Sequence, residues 1–204
     1  MKLDAAQLRE SNPSPEEIAS VKRNPLYIIV DNVLDTYNVG AIFRLADAAA
    51  VSGVYLVGQT NIPTDEKVGH KIQKASVGTW KWTPWEHVDS IADAIEMINN
   101  QLSIINKYSN SNAQNANNQI LNTNLQVVAI EQSDKSVPYT EFDYQFPLAL
   151  ILGHETEGVS KEGLEIADAI VEIPLFGVNK SLNVMMSLGI VMWHVMRKID
   201  IVKV

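Results

Sequence analysis

The 204 residues predict an α/β domain built on a mostly parallel sheet with helices on both faces. Three observations carry this. Short β-branched runs alternate with segments of helical period along most of the chain. Runs such as LALILG at 148–153 are apolar throughout, which suits strands covered on both faces. Loops rich in Gly, Asn, Ser and Glu follow several of these runs, as at the carboxyl edge of an open parallel sheet, where ligands bind.

Residues 1–25 hold Pro13, Pro15 and Pro25 among mixed charges and read as an arm, with Ser14, Pro15, Glu16 and Glu17 able to start one short helix. Residues 26–204 then read as one domain. LYIIVDNV (26–33) and GVYLVG (53–58) are strands flanking a helix over 38–50. A basic cluster follows, in which Lys67, His70, Lys71, Lys74 and Lys81 precede or interleave with Trp80, Trp82 and Trp85. It reads either as phosphate contacts with stacking rings or as a strand alternating buried tryptophan with solvated lysine. After a helix over 89–105, the stretch 106–124 has eight Asn in nineteen positions and reads as a mobile, low-complexity insert. Strands over 125–132, 148–153 and 169–175 and a helix over 161–167 complete the sheet.

A last helix over 181–198 places Val184, Leu188, Val191, Met192 and Val195 at helical spacing, and Met185, Met186, Ile190 and Trp193 broaden that face. So wide an apolar surface should be packed on more than one side, and a second copy of the chain would supply the second side.

Composition narrows the chemistry. With 24 acidic against 16 basic residues and a net charge of −8, the chain is no general nucleic-acid binder, and an RNA partner would need locally grouped cations. The absence of Cys excludes thiol nucleophiles, zinc knuckles and iron–sulfur ligation, and the four His lack ligand spacing, so no metal is implied. A charged N-terminus and the lack of a run of about 18 apolar residues predict a cytoplasmic protein with no membrane partner.

Three loops carry the candidate chemistry: DNVLDTYNVG from Asp31 to Gly40, which leads into the helix that holds Arg44, GHETEGVS from Gly153 to Ser160, and IPLFGVNKSLN from Ile173 to Asn183. Singly, each has a structural reading. Gly153, Gly158 and Gly177 serve as turn residues, Asn38 and either Ser181 or Asn183 as helix caps, Glu155 as a salt-bridge partner, and Arg44 as an ion-pair partner of Asp47 at i+3. Together, NVGAIFRLADA from Asn38, GHETEGVS from Gly153 and IPLFGVNKSLNV from Ile173, in this order and spacing, resemble motifs 1, 2 and 3 of the SpoU (TrmH-like) RNA ribose 2′-O-methyltransferases of the SPOUT superfamily, over roughly residues 25–198.

The resemblance implies a SPOUT-type fold with a C-terminal trefoil knot, S-adenosyl-L-methionine as cofactor, a homodimer, and tRNA or rRNA as substrate, tRNA being favoured. It places cofactor contacts at Gly153, Ile173 and Leu182, with Gly158 and Gly177 in the same loops, and catalytic groups at Asn38, Arg44, Glu155, Ser181 and Asn183. A guanidinium with a pKa above about 12 is a poor base, so Arg44 is read as a phosphate ligand or a stabiliser of developing alkoxide, with proton acceptance as an option. Met185 and Met186 depart from the small residues usual after Ser-Leu-Asn-Val in that family. Two other functions remain in view: a non-catalytic RNA-binding dimer of the same fold, and a nucleotide-binding oxidoreductase. The second lacks a glycine-rich turn after its first strand.

Overall fold

The computed structural model describes residues 2–111 and 124–199. The remainder of the Asn-rich stretch, 112–123, lies outside the described residues, while its first residues, 106–111, continue a helix.

Among the described residues seven strands form one sheet in which every pairing is parallel. They are β1 (Asn24–Asp31), β2 (Val51–Val57), β3 (Trp85–Val88), β4 (Gln126–Ile130), β5 (Val137–Pro138), β6 (Leu148–Leu152) and β7 (Ala169–Glu172), in the spatial order β3-β2-β1-β6-β4-β7-β5. The helices are α1 (Ala5–Glu10), α2 (Pro15–Ser20), α3 (Thr36–Ala48), α4 (Gly69–Ser76), α5 (Ile91–Ser111), α6 (Lys161–Ile166) and α7 (Val184–Met196).

Pleating sorts β1 between two cores. Leu26, Ile28 and Val30 face a cluster with Ile42 and Phe43 of α3, Ile72 of α4, and Leu188, Val191, Met192 and Val195 of α7. Tyr27 and Ile29 face the opposite cluster with Ile91, Ala94 and Ile98 of α5. Both faces of the sheet are therefore covered, as the apolar runs require.

The strands end where the backbone leaves extended geometry. Asn32 stands at φ +55 and Gly58 at φ +61, and the Asn32 side-chain oxygen lies 2.6 Å from where a Cβ at Gly58 would sit. β1 accordingly spans 24–31, two residues earlier than the apolar run suggests.

The start of α3 differs from expectation, and at α7 one of two candidate caps takes the role. Asp35, not Asn38, caps α3, accepting from the amides of Tyr37 (2.7 Å) and Asn38 (3.1 Å), so Asn38 falls inside the first turn with its side chain free for other partners. Asn183, not Ser181, caps α7 by accepting from the Met185 amide (3.0 Å). The Ser14–Glu17 capping box at α2 forms as the sequence suggests.

The basic stretch at 67–81 is not a strand. α4 occupies 69–76, a single 3₁₀ turn follows at 79–81, and only Trp85 begins a strand. Trp82 is buried and donates its indole N–H to Ser11 Oγ (2.8 Å), and Trp85 packs edge-on against Phe43. Lys81 Nζ donates to the carbonyls of Arg9 (3.0 Å) and Ser11 (2.7 Å), so this lysine and this tryptophan hold the arm rather than a ligand.

Gly40 explains why the first motif contains a glycine. A Cβ there would collide with Ala75 Cβ and lie 2.9 Å from the Ile72 carbonyl, so α3 and α4 meet without room for a side chain between them. Gly40→Ala should therefore cost about 1–3 kcal/mol through overpacking. At Gly189 in α7 the nearest atoms to a new Cβ are at an ordinary 3.8 Å, and Gly189→Ala should stabilise by up to about 1 kcal/mol through helix propensity. Urea midpoints of the two variants should move in opposite directions.

Candidate active site

β1 and β6 lie side by side, yet the chain leaves β1 toward α3 on one face and β6 toward α6 on the other. Their carboxyl ends therefore open a crevice of the kind that receives ligands in doubly wound sheets. The three motif loops meet there.

Glu155 joins the first two. Its Oε1 accepts from the Asp35 amide (2.9 Å) and from Asn38 Nδ2 (3.0 Å), and its Oε2 from the Leu34 amide (3.2 Å). Burial works to raise this carboxyl, but the donors from Asn38, Asp35, its own backbone and Leu34 outweigh it and hold it below the usual carboxylate range. Asn38 passes the link on: its Oδ1 accepts from Asn183 Nδ2 (2.9 Å), while Asn183 Oδ1 caps α7. One chain of hydrogen bonds, Glu155 to Asn38 to Asn183, thus ties the loops after β1, β6 and β7.

Beside this chain lies a cavity of roughly 370 Å³ whose wall includes Gly153, Glu155, Gly158, Ile173, Ser181, Leu182 and Asn183. That volume is in the range of about 300–1,000 Å³ usual for small-molecule sites. Gly153 and Gly158 belong there for a steric reason. A Cβ on Gly153 would run into the backbone of Gly158 and Val159, and Gly158, at φ +74, has Glu131 Oε2 where its own Cβ would need space. His154 and Gly158 exchange both backbone hydrogen bonds at 2.9 Å, closing the loop on itself. Thr156 and Glu157 donate their amides to His154 Nδ1, which places the ring proton of a neutral His154 on Nε2.

Two acidic residues outside the three motifs pin this loop. Asp31, buried at the end of β1, accepts from the Ser160 amide (2.8 Å), and Glu131, just past β4, accepts from the Val159 amide (2.9 Å). Sequence reasoning includes Asp31 as the first residue of a candidate loop without a role and misses Glu131; their signal is only positional, an acid closing an apolar strand run, DN after LYIIV and EQ after VVAI.

Not every expected residue reaches the cavity. Gly177 has nothing within 4 Å of a would-be Cβ and does not line the wall; its neighbours Phe176 and Val178 are almost wholly exposed. Arg44 is exposed on α3, does not line the wall and makes no hydrogen bond or ion pair among the described residues. Six residues after Asn38, it stands roughly a third of a turn round the helix from it. Asp47, the partner a purely structural role would give Arg44, is coupled instead to Arg23: burial raises the Asp47 carboxyl and the Arg23 charge opposes this. Arg23 donates to the carbonyls of Val51 (3.2 Å) and Trp82 (2.6 Å), and so belongs to the scaffold.

The model of the SpoU rRNA methylase family matches this chain over residues 25–113 and 101–193. The chain belongs to that family. A tRNA (guanosine(18)-2′-O)-methyltransferase of Aquifex aeolicus is 30% identical over 182 residues, covering 89% of this chain and 74% of its own length. An AdoMet-bound rRNA methyltransferase from Sinorhizobium meliloti superimposes with a TM-score of 0.67 at 27% identity, over 94% of this chain and 60% of the other. The SpoU methyltransferase AviRb from Streptomyces viridochromogenes, in complex with AdoMet, has the same fold, with a TM-score of 0.69 at 21% identity over 90% and 64%. This chain thus spans less than two thirds of either solved relative.

Within this SpoU family member the tie between loops carries a pH signature. Because the Glu155 carboxyl is lowered on folding, its stabilising contribution is complete above the unfolded value of about 4.3 and is lost as pH falls through the lower folded value. Thermal midpoints taken from about pH 6 down to about pH 3 should fall more steeply for the wild type than for Glu155→Gln. Parallel curves would show that the carboxylate does not hold the loops.

Proposed function

We propose that this chain transfers a methyl group from S-adenosyl-L-methionine to a ribose 2′-hydroxyl of tRNA or rRNA, with tRNA favoured, and that it works as a cytoplasmic homodimer. The observation that carries this reading is the Glu155–Asn38–Asn183 chain, which brings all three family motifs to one cavity edge. Neither the oxidoreductase nor the non-catalytic alternative finds support among the relatives, which carry methyltransferase names.

The cavity suits the cofactor. Its volume is in the range usual for small-molecule sites, and Gly153 and Gly158 let the loop after β6 close tightly along its wall. Gly153, Gly158, Ile173 and Leu182 would hold it, largely by backbone groups and apolar contact. When bound, S-adenosylmethionine supplies a methyl group on a sulfonium, open to in-line displacement by the ribose oxygen. The task left to the protein is positioning and charge. Asn38, Glu155 and Asn183 fix the loops, the exposed Ser181 on the rim offers a hydroxyl to the ribose, and Arg44 binds the adjacent phosphate through its planar fork. The trefoil knot in the loops after β6 and β7 is carried by membership of the SpoU family.

Exposed apolar residues support the dimer. Met186, Ile190 and Trp193 are 50%, 37% and 49% exposed on one face of α7, and Tyr37 on the adjoining α3 is 62% exposed. Among the described residues no helix is long and apolar enough to cross a membrane.

For RNA, the surface that supports contact is α4. Lys71 and Lys74 are exposed and have no ion-pair or hydrogen-bond partner among the described residues, and Lys67 and His70 stand beside them. The close approach at Gly40 sets this helix against the one that carries Arg44.

Incubation with radiolabelled S-adenosylmethionine and total RNA tests the activity. Label should enter RNA at a linkage resistant to alkali. Arg44→Ala should lose at least about 100-fold of it, because the phosphate contact that positions the ribose is removed, while thermal midpoint and S-adenosylhomocysteine binding stay near wild type. Wild-type protein that leaves RNA unlabelled would refute the proposal. The double variant Lys71→Ala/Lys74→Ala should weaken RNA binding and flatten its salt dependence by roughly 0.7–0.9 in log–log slope for each phosphate no longer neutralised. An unchanged slope would remove α4 from the interface.

A further inference from the structure

The loop Gly153–Ser160 has an unusual anchorage. β6 lies between β1 and β4 in the sheet, and the residues that end those two neighbours, Asp31 and Glu131, each send a carboxylate over the carboxyl edge of β6. They take consecutive amides at the loop's exit, Ser160 by Asp31 (2.8 Å) and Val159 by Glu131 (2.9 Å). The two acids differ in what else they touch. Asp31 is buried at 2% exposure and also accepts from Asn32 Nδ2 (2.8 Å). Glu131 lines the cavity, accepts from the Gln132 amide through Oε1 (2.8 Å), and covers the α-carbon of Gly158.

We infer that Glu131 is a positioning residue for the cofactor site. Resting on the function proposed above, it acts through Val159 and Gly158, holding the wall of the cavity in its binding shape before any ligand arrives. The physical basis is charge-assisted hydrogen bonding to backbone amides, which is stronger than a neutral bond and here spans two separate chain segments. A carboxylate has about four lone-pair sites, and two are committed to Gln132 and Val159. Gly158 could not be replaced without expelling the carboxylate, so the glycine and the acid form one device. Removing the acid should let the loop breathe and should penalise cofactor affinity, with little effect on the chemical step once the site is filled.

The test compares Glu131→Ala and Glu131→Gln with wild type in the full chain. Hydrogen exchange is followed at the Val159 and Ser160 amides without ligand, S-adenosylhomocysteine affinity by calorimetry, and methyl-transfer kinetics with RNA. Glu131→Ala should exchange the Val159 amide about tenfold faster, bind S-adenosylhomocysteine about tenfold more weakly, and raise KM for S-adenosylmethionine similarly with kcat within about twofold. Glu131→Gln keeps one oxygen acceptor, which can serve Val159, but turns its NH2 toward the Gln132 amide, so it should fall between the alanine variant and wild type, about threefold from wild type. Should the alanine variant fail to fold, the glutamine variant still carries the comparison, with modestly faster exchange and weaker binding expected. Exchange and affinity equal to wild type in the variants that fold would overturn the inference. A wild-type protein that binds neither cofactor nor product would instead refute the function on which it rests.

Discussion

Parallel strands that end side by side leave their following loops with backbone amides that water cannot fully serve and no neighbouring strand can pair. In this protein side-chain oxygens meet that demand at the carboxyl edge of the central strands. Glu155 collects donors from the first loop, Asp31 and Glu131 collect donors from the second, and Asn183 caps the helix after the third while reaching Asn38. The cavity is what remains between loops satisfied in this way. Its polar rim is first a solution to backbone hydrogen bonding, and the same oxygens and amides are then available for recognition.

The fold is legible in the sequence because its strands are buried on both faces, and a continuous apolar run as short as LALIL fits a covered parallel sheet better than a helix. Strand ends are less so. Asn32 breaks β1 by entering a left-handed conformation, and nothing in the apolar pattern marks it, since Val33 beyond it is buried too. α4 is hidden because GHKIQKAS buries only Gly69, Ile72 and Ser76, too few apolar positions to reveal a helical period. The tryptophans of the same region read as stacking rings or alternating strand residues. The burial of Trp82 depends on an arm some seventy residues away in sequence, beyond any local pattern.

In the candidate site, residue types are legible through the three motifs, and their division of labour is not. Asn38 and Asn183 each have an ordinary role open to them as a cap; Asp35 relieves the first of that role, whereas Asn183 caps and bridges at once with its two side-chain atoms. Arg44 stands out as the odd charge in a small, apolar segment. Its position explains the oddity: α3 is buried on the sides facing the sheet, α4 and α7, and the arginine occupies the strip left exposed. Glu131 and Asp31 give no comparable signal because an acid at a strand end is common, and only the passage of a distant loop between them gives the pair a purpose.

The docking of the arm has a consequence for how this chain can change over evolutionary time. Lys81 places a half-buried ammonium against the carbonyls of Arg9 and Ser11, and Gly78 admits the backbone of Leu8 where any side chain would collide. Loss of the arm alone would leave the Lys81 ammonium to water and expose the Trp82 indole. Bulk gained at residue 78 alone would expel the arm. A change around residues 8–12 and a change in the turn before β3 should therefore compensate one another, although the two lie far apart in the chain.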